Sequence, residues 1–389
     1  MSAGSDAAAP VDAAAPVDAA APLGAAAPLG VGLVGCGVIS AQYLETLPRL
    51  PGLRLAAVAD VDAARAADVG ARHGVPGTDL DGLLARDDVD VVLNLTIPAA
   101  HAEVAHRALA AGKHVHGEKP LALTTAEAEP VLRRAREAGL RVGSAPDTVL
   151  GTGVQTARAA LDDGLVGTPV AAAVSWSSPG HELWHPAPDF YYLPGGGPLF
   201  DMGPYYLTSL VTLFGPVARV SAAATRSDRE RTVATGPRAG ERLRVEVDTH
   251  VAAVLEHEGG VVSSLTVSFE TWATRAPLFE VHGTAGSLAV PDPNRFSDPV
   301  EASTAAEPGW RVLPVAAGYA DAGRGHGLAD LAHAIRTDRP HRASGDLAFH
   351  ILDVMESVQR AADAHAVVDV RSRVERPAAV PLGAEPHTW

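Results

Sequence analysis

The chain has 389 residues, of which 47% are apolar and 20% charged, and its formal net charge is −15. That length suits two domains with full cores, and the acidic balance argues against nucleic acid or an anionic membrane as the main partner. A single cysteine excludes an intrachain disulfide and points to a reducing compartment, and no apolar run reaches the roughly 18 residues of a membrane span.

Residues 1–28 repeat Ala-Ala-Ala-Pro followed by Val-Asp or Leu-Gly. Proline interrupts helix in every unit and little is available to form a core, so a disordered tail is expected. The terminus has neither a basic region nor a twin-arginine pair, so it does not read as an export signal, and a cytoplasmic protein is expected.

From Leu29 strands and helices alternate. Residues 31–34 read as a buried strand, Gly35-Cys36-Gly37 as a turn, and Ser40 onward as a helix to about residue 47. Gly35 allows a tight turn, and Gly37 lets backbone N–H groups approach a pyrophosphate. Val38 and Ile39 continue this turn, and Cys36 reads as a small packed residue. A second strand, 53–59, ends in Asp60, twenty residues after Ser40. A carboxylate there is placed to accept hydrogen bonds from an adenosine ribose and to repel a 2′-phosphate, which favours NAD over NADP.

Helices are expected over 63–73 and 80–86, a strand over 89–95, and an amphipathic helix over 99–111 with Gly112 as its cap. A strand at 114–116 leads to Glu118-Lys119-Pro120. Thr124 or Thr125 caps a helix to residue 138, and residues 141–144 form a further strand. This order predicts a parallel, doubly wound Rossmann sheet with right-handed crossovers. Its ligands bind at the carboxyl ends of the strands, where the Gly35 turn, Asp60, Thr96-Ile97-Pro98 and Glu118-Lys119 converge.

The texture changes near Pro146. A helix over 153–162 and a strand over 170–176 precede a loop-like stretch, 177–203, and a helix over 204–214. Alternating segments at 217–225, 243–257, 261–270, 278–283 and 287–290 predict a large, mostly antiparallel, open-faced sheet. Helices near 327–336 and 346–364 are expected to cover part of it. Its other face is expected to form a homo-oligomer interface. The expected domains are 29–146 for dinucleotide binding and 147–375 for substrate binding and assembly, with a tail over 376–389.

Of eighteen Phe, Trp and Tyr residues, eight fall between Trp176 and Tyr206. That stretch also holds His181, His185 and Asp189, beside Trp184, Phe190, Tyr191 and Tyr192. Aromatic faces among polar groups suit a sugar or cyclitol, and an ordinary core cluster is the plain alternative. Asp201 and Tyr205, four apart, share one helix face. A phenol is a poor base near neutrality unless a cation lowers its pKa, and Lys119 is the candidate cation. Its ammonium also suits polarising a reacting oxygen. No metal cluster, Ser-His-Asp arrangement or P-loop stands out.

The run Ala110-Ala111-Gly112-Lys113-His114-Val115-His116-Gly117-Glu118-Lys119-Pro120 resembles the A-G-K-H-V-x-x-E-K-P of the glucose-fructose oxidoreductase/inositol dehydrogenase (Gfo/Idh/MocA) family. Thr96-Ile97-Pro98 with His101 is similar to that family's T-x-P-x-x-H, and residues 195–203 to its G-G-G-x-x-x-D-x-G. The resemblance implies a Rossmann domain plus an open-faced α/β domain. It also implies hydride transfer between a nicotinamide cofactor and a sugar, sugar derivative or cyclitol. It makes Lys119 the catalytic lysine and puts Asp201 in the substrate-site pair. Many members carry His four residues after that aspartate; Tyr205 stands there, so the acid–base role falls to Tyr205 or to a loop histidine such as His185. The candidate cofactor set is then Gly35, Gly37, Val38, Ile39, Asp60, Thr96, Pro98, His101, Glu118 and Lys119. The substrate set is Lys119, Trp184, His185, Asp201 and Tyr205. Alternative readings are a glycoside-processing or hydride-swapping enzyme that retains NAD, and a non-catalytic regulator.

Overall fold

The computed structural model describes residues 27–386. The Ala/Pro repeats of residues 1–26 lie outside the described residues, together with the expectation of disorder placed on them.

Six parallel strands make the first sheet: β1 (Leu29–Val34), β2 (Leu53–Ala59), β3 (Gly77–Thr78), β4 (Val91–Asn94), β5 (His114–Gly117) and β6 (Val142–Ser144), in the order β3-β2-β1-β4-β5-β6. Helices α1 (Ser40–Thr46), α2 (Ala63–His73), α3 (Leu80–Leu84), α4 (His101–Ala110) and α5 (Thr125–Glu137) connect them. Successive strand residues point to opposite faces, so a strand buried on both sides reads as a continuous apolar run. Val31, Leu33, Val91 and Leu93 pack on one face with Tyr43 and Leu44 of α1. Val34 and Val92 pack on the other with Val104 and Ala108 of α4 and Val131 of α5. Local capping sets the helix ends. Asp62 accepts from Ala64 and Arg65 N–H at the start of α2, Gly74 closes it with φ +68°, and Thr124 caps α5.

The second sheet follows α6 (Thr152–Asp162). Its nine strands are β7 (Pro169–Ser177), β8 (Val217–Thr225), β9 (His250–His257), β10 (Val262–Ser268), β11 (Phe279–Gly283), β12 (Gly286–Ala289), β13 (Glu301–Thr304), β14 (Arg311–Val312) and β15 (Val368–Asp369). The order is β14-β13-β12-β11-β7-β10-β9-β8-β15, antiparallel except where β7 runs parallel to β10. Helix α7 (Gly197–Phe214), inserted between β7 and β8, packs on one face with α6 and the long helix α9 (Gly345–Ala364). The opposite face carries small side chains, among them Ala173, Ala223, Ala252, Val254, Ser264 and Thr266, which are partly or fully exposed.

Three expectations need correction. Of the two late helices, only α9 covers the second sheet. The other, α8 (His326–Thr337), buries Leu328, Leu331 and Ala332 in one core of the parallel sheet, beside β5 and β6. Helix α7 starts at Gly197, because Pro198 takes the first-turn position that Pro204 was expected to fill. Residues 243–249 do not join the sheet: the N–H groups of Leu243 and Glu246 go to the carbonyls of Arg231 and Tyr192. The short strands β13, β14 and β15 carry too few residues to show a pattern in the sequence. Beyond Asp369 the chain stays packed, with Val380 fully buried and its N–H bonded to Gln155 Oε1 at 2.9 Å.

Gly35 makes the parallel sheet's first turn possible. Its φ is +97°, and a Cβ there would lie 2.6 Å from the Leu95 carbonyl oxygen. Gly35→Ala is expected to lower unfolding stability by about 2 kcal/mol or more in a denaturant titration, through backbone strain and that clash. A midpoint unchanged from the parent would contradict this reading of the turn.

Candidate active site

The carboxyl ends of β1, β4 and β5 face the start of α7 across a cleft of about 540 Å³. Ile39, Thr96, Pro98, Glu118 and Lys119 line it from the first domain; Trp176, His181, Trp184, Tyr191, Asp201 and Tyr205 line it from the second. The contact that joins the two sides is ionic. Lys119 Nζ lies 2.9 Å from Asp201 Oδ1 and 2.7 Å from the Asp201 carbonyl oxygen. Burial alone would discharge both groups. Against it, Asp201, Tyr205 and Glu118 hold the Lys119 ammonium above its ordinary value. Lys119 and His181 hold the Asp201 carboxyl down to about 2 despite its burial. Neither group changes charge near neutrality, so neither is the proton acceptor.

The other oxygen of Asp201, Oδ2, is 2.7 Å from His181 Nε2, and the Trp184 indole donates to His181 Nδ1 at 3.1 Å. An indole N–H only donates, so Nδ1 accepts, Nε2 carries the proton and donates to Asp201, and no lone pair is left for a substrate. A buried cluster fixes the turn that carries His181. Glu182 accepts from Arg231 Nη1 at 2.9 Å, Tyr192 Oη donates to Glu182, and His181 N–H donates to Tyr192 Oη at 3.0 Å. Tyr205 lies one helical turn beyond Asp201. The Lys119 ammonium stands 5.1 Å from its ring centroid, and its phenolic oxygen accepts from Arg324 Nη2 at 3.1 Å.

The first-domain half of the cleft fits a dinucleotide. A Cβ on Gly37 would meet no protein atom within 4 Å, so the turn presents bare backbone to open space. Val38 is 86% exposed, Val61 fully so, and Ile97 is exposed as well, giving apolar surface at three strand ends that suits flat rings. Asp60 sits between the loops after β1 and β2, with Oδ2 accepting from Cys36 N–H at 2.8 Å and Oδ1 from Asp62 N–H at 2.9 Å. Glu118 is buried and accepts from Tyr43 Oη at 2.8 Å. Among the described residues no group of three or more His, Cys, Asp or Glu side chains is arranged to hold a metal.

Two sequence candidates stand elsewhere. His101 is buried behind the cleft, its ring nitrogens 2.6 Å and 2.9 Å from the carbonyl oxygens of Pro120 and Thr96. His185 packs behind Trp184 and Tyr191, its Nδ1 accepting from Ala187 N–H. Burial, then neighbouring His181, lowers the His185 imidazole below its ordinary range. The loop histidine that reaches Asp201 is therefore His181. The aromatic stretch pointed to its neighbourhood without singling it out. Arg324 and Asn294, which also line the cleft, come from loops without any motif.

Comparison with known proteins bears on the family and the fold. A family model described as an oxidoreductase family with an NAD-binding Rossmann fold matches residues 29–145, and a GFO/IDH/MocA C-terminal domain model matches residues 154–289. A dTDP-3,4-didehydro-2,6-dideoxy-alpha-D-glucose 3-reductase of Streptomyces antibioticus is 32% identical over 66% of this chain and 74% of its own. D-apiose dehydrogenase of Paraburkholderia graminis is 27% identical over 72% and 74%. A 4-carboxy-2-hydroxymuconate-6-semialdehyde dehydrogenase of Sphingobium is 40% identical, but the match spans only 28% of this chain and 36% of that relative. The apo structure of a levoglucosan dehydrogenase superposes with a TM-score of 0.77 at 22% identity, covering 89% of this chain and 100% of that one, which bears on the fold alone. With both of its domain models matched in order, the chain belongs to the Gfo/Idh/MocA oxidoreductases, a family with an NAD-binding Rossmann fold and relatives named as sugar dehydrogenases and reductases.

Proposed function

We propose that the protein is an NAD-dependent dehydrogenase that oxidises one hydroxyl of a cyclic sugar, sugar derivative or cyclitol, or reduces the corresponding ketone. The observation that carries this reading is the Lys119–Asp201 pair, which brings the two domains together beside Tyr205 in one aromatic-lined cleft. Bound NAD would supply the hydride acceptor, held by the Gly35–Gly37 turn, Val38, Ile39, Asp60, Thr96, Pro98 and Glu118. Lys119 uses two of its three N–H bonds on Asp201. The third is available for the reacting oxygen, where a fixed positive charge stabilises the negative charge that develops there. Tyr205 exchanges the hydroxyl proton, since both nitrogens of His181 are engaged and the Lys119–Asp201 pair keeps its charge. Trp176, Trp184 and Tyr191 offer aromatic faces to the C–H face of the ring, while His181 and Trp184 hold Asp201 in place.

Asp60 supports NAD over NADP, because a 2′-phosphate beside it would meet a carboxylate. The small side chains of the open sheet face support a homo-oligomer, since they allow a second sheet to approach closely. The single buried Cys36 suits a reducing, cytoplasmic setting.

The reading is tested by incubating the protein with NAD and a panel of sugars and inositols while following NADH. Lys119→Ala and Tyr205→Phe are each expected to lower kcat/KM by about 100-fold or more on any substrate found. Undiminished turnover in either folded variant would reject that residue's role. Absent net NADH from a protein that purifies with cofactor attached would instead indicate hydride exchange between two sugars.

Cofactor choice has its own test. Gly37→Ala is expected to leave the melting temperature unchanged and raise the NAD Kd about tenfold. Asp60→Ala is expected to reduce the NAD-to-NADP preference in kcat/KM about tenfold or more. An unaltered preference would remove Asp60 from the site. Light scattering is expected to give a mass of at least two chains; a monomer across micromolar concentrations would reject the interface.

A further inference from the structure

The cation at the Tyr205 oxygen is not the one the sequence pointed to. Lys119 lies over the phenol ring and directs its N–H groups to Asp201. The hydrogen bond to the oxygen comes from Arg324, 119 residues further along the chain, at 3.1 Å. Building on the acid–base reading of Tyr205, we propose that Arg324 is a positioning residue for proton transfer, holding the phenolic oxygen and placing a permanent positive charge beside it.

Three features support this assignment. Arg324 is only 7% exposed and lines the cleft, so its charge is little screened. Its guanidinium is held from several sides. Nη2 also donates to Asn294 Oδ1 at 2.9 Å, and Nη1 faces the fully buried Asp147 carboxylate at 3.8 Å. Asp147 in turn accepts from Gly325 and Gly327 N–H at 2.9 Å and 3.0 Å, which ties it to the turn that opens α8. The planar group cannot swing toward a substrate without breaking these contacts. Finally, a guanidinium donates and never accepts, so the phenol oxygen is the acceptor and its own hydrogen stays free for exchange.

Other charged and titratable groups surround the pair: Lys119 and Tyr191 act on Tyr205, with Asp201 one turn back on α7, and Glu118, Asp147 and Tyr43 act on Arg324. Lys119 is matched by Asp201 at 2.9 Å, whereas Arg324 stands 3.8 Å from its nearest carboxylate. In the oxidation direction Tyr205 first gives its own proton to solvent; as tyrosinate it takes the proton released by the substrate hydroxyl while the hydride leaves for NAD, and Arg324 keeps all of its own protons. Its contribution is electrostatic, placed where negative charge lies when the phenol has lost its proton.

The test is an ultraviolet pH titration of the protein without substrate, with the Tyr205 tyrosinate step isolated by subtracting the Tyr205→Phe protein. Arg324→Met is expected to move that step to higher pH by about one unit or more, and the acid limb of the kcat profile with it. Arg324→Gln, similar in shape and uncharged, is expected to do the same and serves if the methionine variant does not fold. A step unmoved in either folded variant overturns the proposal, as does a rise in KM with kcat and the titration unchanged, which would make Arg324 a substrate contact. Undiminished turnover of Tyr205→Phe would remove the acid–base reading itself, while the titration still decides whether Arg324 and Tyr205 are coupled.

Discussion

The structure depends on one ion pair between domains. Lys119 closes the carboxyl end of a parallel strand, Asp201 sits near the start of a helix on the second sheet, and neither side chain is much exposed. Two charges taken out of water repay that cost only when geometry and further hydrogen bonds are good. Here the Asp201 carboxylate also receives the His181 ring, and Lys119 also reaches the Asp201 carbonyl oxygen. Breaking such a pair from one side strands a buried charge at a cost of roughly 3–5 kcal/mol. The pair therefore holds the cleft together besides the chemistry proposed for it, and loss of activity in a Lys119 variant has meaning only beside a measure of folding.

In the proposed mechanism the cleft around that pair separates fixed charge from proton exchange. Lys119 and Asp201 remain charged near neutrality, and His181 is clamped between Asp201 and the Trp184 indole. These groups set a static field and orient one another. In the proposed mechanism the phenol of Tyr205 exchanges the proton. The rest of the fold is scaffolding for this arrangement. A parallel sheet delivers Gly37, Asp60 and Lys119 to one edge, and α7, buried between the second sheet and α9, presents Asp201 and Tyr205 one turn apart.

How much of this was legible beforehand follows from how local the signal is. The parallel sheet was readable because each strand is an apolar run followed by a turn whose residues have a backbone reason, such as Gly35 at positive φ or Asp62 capping α2. Lys119, Asp201 and Tyr205 were readable for the same reason, since strand-end and i,i+4 positions leave a pattern. His181 was blurred because a loop has no period to say which of two nearby histidines turns inward. Arg324 and Arg231 were invisible: the side-chain hydrogen-bond partners of each lie thirty or more residues away in sequence, with nothing in the adjoining residues to announce it. The apolar face of α8 fits either core, and only the chain's return to the first domain places it on the parallel sheet.

The central claim is that the side chains of both domains converge on a single substrate oxygen. A crystal structure of the protein with NAD and a turned-over sugar tests it most directly. The account predicts one substrate oxygen within hydrogen-bond distance, about 2.6–3.2 Å, of both Lys119 Nζ and Tyr205 Oη. A ring seated with that oxygen against His181, or with Lys119 and Tyr205 contacting different ends of the substrate, would contradict it.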